Sequence, residues 1–289
     1  MNINEPAAEN RWAELRSGDF LYNAMNLIQD TSGLTPILTI EHERSAHYGV
    51  YRVTTRAGYE WIARIGVAGE TSVQNDWYLG TASATPTGQK RELEIAQGLH
   101  EAGASVSVPA FCSELNGWEV MWMKRLPGTN QGITAEQWAA ALHSLRAYKP
   151  QERLPVFTNR VKSLNRLRGI PESQAALLGR EYDEGLRRLF DVASSWSVVH
   201  GDAHSGNALL HEGKVTLFDF DTACWAPSIW DWTHLLNRAG QGEDNGYTAA
   251  ELASLSGFGS IELDAALALR RTASRIAMVA REQGAFLAA

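Results

Sequence analysis

An α+β fold in two lobes is what the sequence predicts, on three observations. Period-two runs rich in β-branched and aromatic residues cluster before Met123, helical periodicity dominates after Thr134, and Pro127-Gly128 breaks the chain between them. Residues 1–126 form the first expected domain and residues 127–289 the second. A length of 289 residues exceeds the usual single-core size, and 44% hydrophobic against 20% charged residues is an ordinary globular composition, which sets disorder aside.

The elements follow in order. Asn10 to Ile28 carries Trp12, Leu15, Phe20 and Leu27 at helical spacing, loosened at Ser17-Gly18. Three strands come next, Ile37–Ile40, Gly49–Thr55 and Tyr59–Ile65, the last two joined in hairpin style by Arg56-Ala57-Gly58. The polar connection between Gly66 and Gln89 has neither periodicity and reads as a loop. A helix from Lys90 to Ala102 is followed by strand-like runs at Val106–Phe111 and Gly117–Met123, completing a five-stranded antiparallel sheet with one main helix. Lys124 to Asn130 is the hinge. Thr134-Ala135-Glu136-Gln137 has the form of a capping box and opens a helix through Trp138, Ala141, Leu142 and Leu145. Further helical patterns run over Ser173–Val192, Ile229–Arg238, Thr248–Ser256 and Ile261–Gln283, with no internal repeat or low-complexity tract.

Charge and cysteine content exclude several classes. A formal net charge of -7 argues against nucleic acid as the main partner and is compatible with a cationic ligand. The ten Trp residues read as core rather than as a stacking platform for bases. Cys112 and Cys224 are far apart in apolar contexts, which is neither a disulfide framework nor a zinc pattern. The first residues lack a basic segment ahead of an apolar core, and no run of about eighteen apolar residues exists. A soluble cytoplasmic protein without a membrane partner is expected, its oligomeric state left open.

Chemistry concentrates in His200-Gly201-Asp202-Ala203-His204-Ser205-Gly206-Asn207 and, one short strand later, Leu217-Phe218-Asp219-Phe220-Asp221. Either piece alone occurs in many loops, where Asp and Asn cap turns. Their ordered combination sets a carboxylate on a tight loop, a carboxamide five positions on, and a second carboxylate, Asp219, at the end of the next strand. That set suits phosphoryl transfer from Mg-ATP to a hydroxyl, because Mg²⁺ takes hard oxygen ligands and the attacking hydroxyl needs a proton acceptor that aims it in line. Asn207 and Asp219 are the expected metal ligands and Asp202 the expected base. His200 reads as a brace of the loop, and His204 receives no role.

These motifs resemble the aminoglycoside phosphotransferase and choline kinase group, small-molecule relatives of the protein kinases. The likeness rests on His200-Gly201-Asp202, Asn207, Asp219-Phe220-Asp221 and, more loosely, on Trp230-Asp231 at the start of a following helix. It implies a bilobal protein-kinase-like fold with nucleotide bound between the lobes, ATP and Mg²⁺ as cofactors, and a small hydroxylated molecule as acceptor. Gly201 stands where protein kinases carry Arg, and Asp221 where they carry the Gly of Asp-Phe-Gly. Only eight residues separate Asp221 from Trp230, which leaves little room for a peptide-docking platform.

The resemblance also assigns nucleotide contacts in the first lobe. The turn Ser45-Ala46-His47-Tyr48-Gly49 is the expected phosphate cover, where a short hydroxyl and a Gly permit close approach. Arg64 on the third strand is the expected phosphate-gripping cation, paired with Glu92 or, in competition, Glu94. Backbone groups around Met123 to Arg125 would meet the adenine edge, although Met121 and Met123 are equally explained as core. His143 matches a helix signature of the group or is simply structural. Glu181, Asp183 and Glu184 either serve a cationic acceptor or form a solvated helix face. The expected activity is that of a small-molecule kinase acting on an aminoglycoside-type antibiotic, or on a sugar, amino alcohol or other hydroxylated metabolite. A nucleotide-binding pseudoenzyme is disfavoured by the intact Asp202, Asn207 and Asp219.

Overall fold

Alternation along three strands explains the first lobe. The structure, a computed structural model, describes residues 18–33, 37–45, 49–67, 88–150, 170–240 and 246–283. Among these, the stretches up to residue 67, 88–97 and 108–127 form one compact unit, and 98–107 with those from 128 to 283 form another. The first unit holds a five-stranded antiparallel sheet ordered β1-β2-β3-β5-β4, with β1 Ile37–Ser45, β2 Gly49–Thr55, β3 Glu60–Val67, β4 Phe111–Leu115 and β5 Trp118–Lys124. Every second residue, Tyr51 and Val53, Ala63 and Ile65, Val120 and Trp122, faces one core. Helix α1, Gly18–Thr31, covers that face with Ala24, Leu27 and Ile28, spaced three and four apart. Each large apolar side chain buried there contributes about 1.5–3 kcal/mol.

The intervening residues of β3 and β5 point to the opposite face. There α2, Gly88–Glu101, supplies Gln89 and Glu92 against Arg64. The β2–β3 turn is the expected hairpin: Gly58, at φ 82°, donates to Thr55, and Thr55 donates to Tyr59.

The fourth strand lies later than expected. Val106 makes only an isolated parallel bridge, to Leu217 of the second unit, and its neighbours Ser105 and Ser107 bond Leu217 as well. Pairing in the first sheet starts with Ala110, just past Pro109, whose ring removes a backbone donor. The true hairpin signal is Asn116-Gly117, at φ 54° and 80°, which the mirror-image two-residue turn requires.

Among the described residues, the second unit contains five helices and two small sheets besides the end of α2. The helices are α3 Ala135–Leu145, α4 Glu172–Val192, α5 Trp230–Gly240, α6 Ala249–Ser256 and α7 Ser260–Glu282. Thr134 caps α3 in a complete capping box with Gln137, and Thr248 does the same for α6 with Glu251. Helices α4 and α7 lie close, since a Cβ on Gly185 would stand 3.3 Å from Leu269. Glu181 on α4 pairs with Arg275 on α7. The antiparallel pairs are β6 Trp196–Val199 with β9 Cys224–Pro227, and β7 Ala208–His211 with β8 Lys214–Leu217. Strand β9 was not expected; at four residues ending in Pro it is too short to show alternation. Strand β8 stops at Leu217, so Asp219 lies just beyond it rather than at its end.

Candidate active site

The loop between β6 and β7 is tied down residue by residue. His200 is fully buried, its Nε2 2.7 Å from the carbonyl of Phe218. A carbonyl only accepts, so Nε2 carries the proton and Nδ1 takes the amide of Asp202 at 3.4 Å. Asp231, at the start of α5, accepts the amides of His200 at 2.7 Å and Gly201 at 2.8 Å. Burial pushes its carboxyl above the usual carboxylate range, while His200 and the two N–H bonds pull it back. Thr222 donates to the carbonyl of His200 at 2.9 Å, closing the loop from the far side.

Gly201 must be glycine. Its φ is 87°, and an added Cβ would stand 2.5 Å from the carbonyl oxygen of Thr222.

Asp202, Asn207 and Asp219 are joined through backbone groups. Asn207 Nδ2 donates to the carbonyl of Asp202 at 3.1 Å, and the amide of Phe218 donates to the carbonyl of Asn207 at 3.1 Å. The first bond uses the amide nitrogen of Asn207 and leaves Oδ1 as the atom suited to a cation. The second sets Asp219 next to that residue, and Asp219 itself takes a left-handed φ of 69°, uncommon for a non-glycine residue. A carboxylate and a carboxamide oxygen are hard donors, which fits Mg²⁺. The β7–β8 hairpin that delivers Asp219 turns at Glu212-Gly213, φ 49° and 78°.

The first unit holds its own polar cluster. Arg64 pairs with Glu92, both almost fully buried, and its Nε donates to Gln89 Oε1 at 3.1 Å. Glu94 is exposed, which resolves the choice of partner. Gln89 is fixed in turn by Glu119, which accepts its amide at 2.8 Å and its side-chain nitrogen at 2.9 Å. Neither Gln89 nor Glu119 was picked out from the sequence. A carboxylate inside the apolar run Trp118-Glu119-Val120-Met121 was the available signal.

The other residues expected to contact nucleotide lie at strand ends. Ser45 and Gly49 are register partners that close β1 on β2, but the Ser45 side chain and the turn residues 46–48 lie outside the described residues, as do 1–17 and 68–87. A Cβ on Gly49 would meet the Tyr51 ring at 2.9 Å. At the end of β5 the amide of Arg125 donates to Glu60 at 3.2 Å, and its guanidinium grips the Glu60 carboxylate at 2.9 and 3.1 Å. Backbone groups alternate sides along an antiparallel strand, so those of Met123 also face β3. The backbone of Lys124 faces the opposite edge, beyond the point where β4 pairing ends with Ala110 donating to Trp122. Of the three residues expected at an adenine edge, Lys124 is thus the one whose backbone groups do not face β3.

Residues 39–268 match the phosphotransferase enzyme family, APH. The chain belongs to that family. A curated APH-like relative, amicoumacin kinase of Bacillus subtilis (strain 168), is 32% identical over 94 residues, which cover 32% of this chain and 22% of the relative. The match thus spans about a fifth of that protein. Among solved structures, amicoumacin kinase hAmiN in complex with AMP-PNP, Ca²⁺ and Ami aligns at TM-score 0.69 and 17% identity over 91% of this chain and 90% of that one. Spectinomycin phosphotransferase APH(9)-Ia with ADP and spectinomycin gives 0.60 at 16%, over 90% and 86%. Choline kinase LicA from Streptococcus pneumoniae gives 0.60 at 13%, over 90% and 91%. These likenesses establish the protein-kinase-like fold expected of an APH chain.

Proposed function

We propose that this protein is an ATP-dependent phosphotransferase that moves the γ-phosphoryl group to a hydroxyl of a small molecule. The observation that carries the reading is the loop from His200 to Asn207, in which Asp231, Thr222 and Phe218 fix Asp202 and Asn207 and bring Asp219 alongside. Asp202 accepts the proton of the attacking hydroxyl as its oxygen bonds to the γ-phosphorus, while the bond to the β-phosphate oxygen breaks and ADP leaves. Asn207 Oδ1 and the Asp219 carboxylate would hold Mg²⁺, which would supply neutralisation of charge on the phosphates. Arg64, held in place by Glu92 and Gln89, grips the inner phosphates, with Ser45 and Gly49 covering them and backbone groups of Met123 to Arg125, Lys124 foremost, at the adenine edge. Residues 1–126 act as the nucleotide-covering lobe and 127–289 as the catalytic and acceptor-binding lobe.

The acceptor is a hydroxylated antibiotic of the kind that the amicoumacin and spectinomycin enzymes handle, or a small amino alcohol as for choline kinase. Glu181 is an unsuitable primary contact for a cationic acceptor because Arg275 already pairs with it. The site of action is the cytoplasm, where ATP is abundant. Both cysteines are free thiols, Cys112 pushed up to about 12 by burial, and no helix among the described residues is long and apolar enough to cross a membrane. A screen for ADP release over aminoglycosides, peptidic antibiotics, sugars and amino alcohols tests the proposal. Acceptor-dependent ADP release that requires Mg²⁺ is the expected result; nucleotide binding with no acceptor-stimulated turnover would identify a nucleotide-binding protein instead.

A further inference from the structure

The catalytic loop touches α5 at two points, and only the first belongs to the set described above. Asp231 takes the amides on the N-terminal side of Asp202. Three positions on, His234 lies on the same face of the helix, where its ring packs against that of His204 with centroids 5.3 Å apart and planes tilted by 33°. His204 is held from a second side. The amide of Gly206 donates to its Nδ1 at 2.9 Å, and the carbonyl of His204 accepts the amide of Asn207 at 2.8 Å. A Cβ on Gly206 would stand 2.6 Å from the His204 ring, so glycine at that position makes room for it.

Those contacts fix which nitrogen of His204 faces the base. An amide only donates, so Nδ1 is an acceptor and the proton sits on Nε2. Nε2 stands 3.6 Å from Asp202 Oδ2, just beyond hydrogen-bond length.

We propose that His204 is a positioning residue for Asp202: its Nε2–H orients the carboxylate toward the acceptor hydroxyl, and His234 backs the imidazole from α5. The inference rests on the reading of Asp202 as the base. His234 is suited to the part because it is mostly buried and stays uncharged; burial, then the charge of Arg270, hold its imidazole down to about 3. An uncharged ring stacks on His204 without drawing the Asp202 carboxylate away from it.

The test compares His204→Phe, His204→Gln and His234→Ala with the wild type by Mg-ATP turnover, with acceptor and with water alone, alongside KM for ATP and the unfolding midpoint. Phe keeps a ring but removes the N–H; Gln restores a donor at similar reach. His204→Phe is expected to lower kcat about 10- to 100-fold with KM for ATP unchanged, Gln to recover most of that loss, and His234→Ala to lower kcat several-fold. Equal loss in Phe and Gln, or a raised KM with intact kcat, overturns the role of His204 while leaving the phosphotransferase reading in place. Absence of turnover in the wild type under every condition removes that reading and this inference with it.

Discussion

Gly201 separates two effects that are usually confounded, backbone strain and steric exclusion. Gly201 and Gly213 have similar left-handed φ values, 87° and 78°, but a Cβ meets the Thr222 carbonyl at Gly201 and open space at Gly213. Gly213→Ala is therefore expected to cost about 1–2 kcal/mol, the price of a left-handed alanine alone. Gly201→Ala should cost clearly more and lower kcat as well, because the obstacle is backbone and can yield only by moving Thr222 and the loop it closes. Chemical denaturation of both variants checks this; equal destabilisation would show that the loop relaxes freely. The same residue was legible in the sequence only as a departure from the Arg of protein kinases. Its physical reason, the approach of Thr222 from twenty-one positions away, is tertiary and leaves no local pattern.

Among elements, α5 has the largest bearing on the site. Its first turn buries Asp231 against two loop amides, and an unpaired buried donor costs about 1–3 kcal/mol. Asp231→Ala, which strands both, should destabilise the second unit by about 2–5 kcal/mol and release the loop, lowering kcat more than KM for ATP. Unfolding and steady-state kinetics on one preparation test the pairing of effects; a stability loss with unchanged kcat would make Asp231 purely structural. Elements with self-contained signals were the ones readable in advance. The capping box at Thr134 and the hairpin at Gly58 depend on a few neighbouring residues, and the structure has them. Strand β4 failed because Val106 and Val108 look β-like on their own, whereas Ser105 and Ser107 bond Leu217, more than a hundred residues away. Nothing near them in sequence announces that partner.

At the scale of the whole molecule, the first unit holds the buried Arg64–Glu92 pair, proposed to grip phosphate, and the second holds Asp202, Asn207 and Asp219, proposed as base and metal ligands. Arg64→Ala should raise KM for ATP by about tenfold or more, since a charge-assisted contact to phosphate is lost and Glu92 is left buried without its partner. An unaltered KM would move the phosphate contact elsewhere. Acid should also weaken the fold. His234, faced by Arg270, Asp202, His204 and Arg238, has an imidazole pKa lowered from 6.5 to about 3 in the folded protein. The unfolded chain binds that proton more readily, so the stabilisation is complete above about pH 6.5 and is lost progressively as pH falls toward 3. Denaturation midpoints measured across this window should decline with acidity, and less steeply in His234→Phe; an identical slope in the two would assign the acid sensitivity to other groups.

The proposal of Asp202 as base starts from the spacing of Asp202, Asn207 and Asp219, because phosphoryl transfer needs those residue types in that order. The same motif carries no residue that singles out one acceptor. The central claim is that Asp202 handles the hydroxyl proton of a phosphoryl acceptor. It is tested most directly by transfer of labelled γ-phosphate from ATP to the acceptor by Asp202→Asn beside the wild type, with Mg-ADP affinity measured on both. The predicted result is a loss of transfer of about 10²- to 10⁴-fold at nearly unchanged Mg-ADP affinity. Transfer by Asp202→Asn at close to the wild-type rate would contradict it.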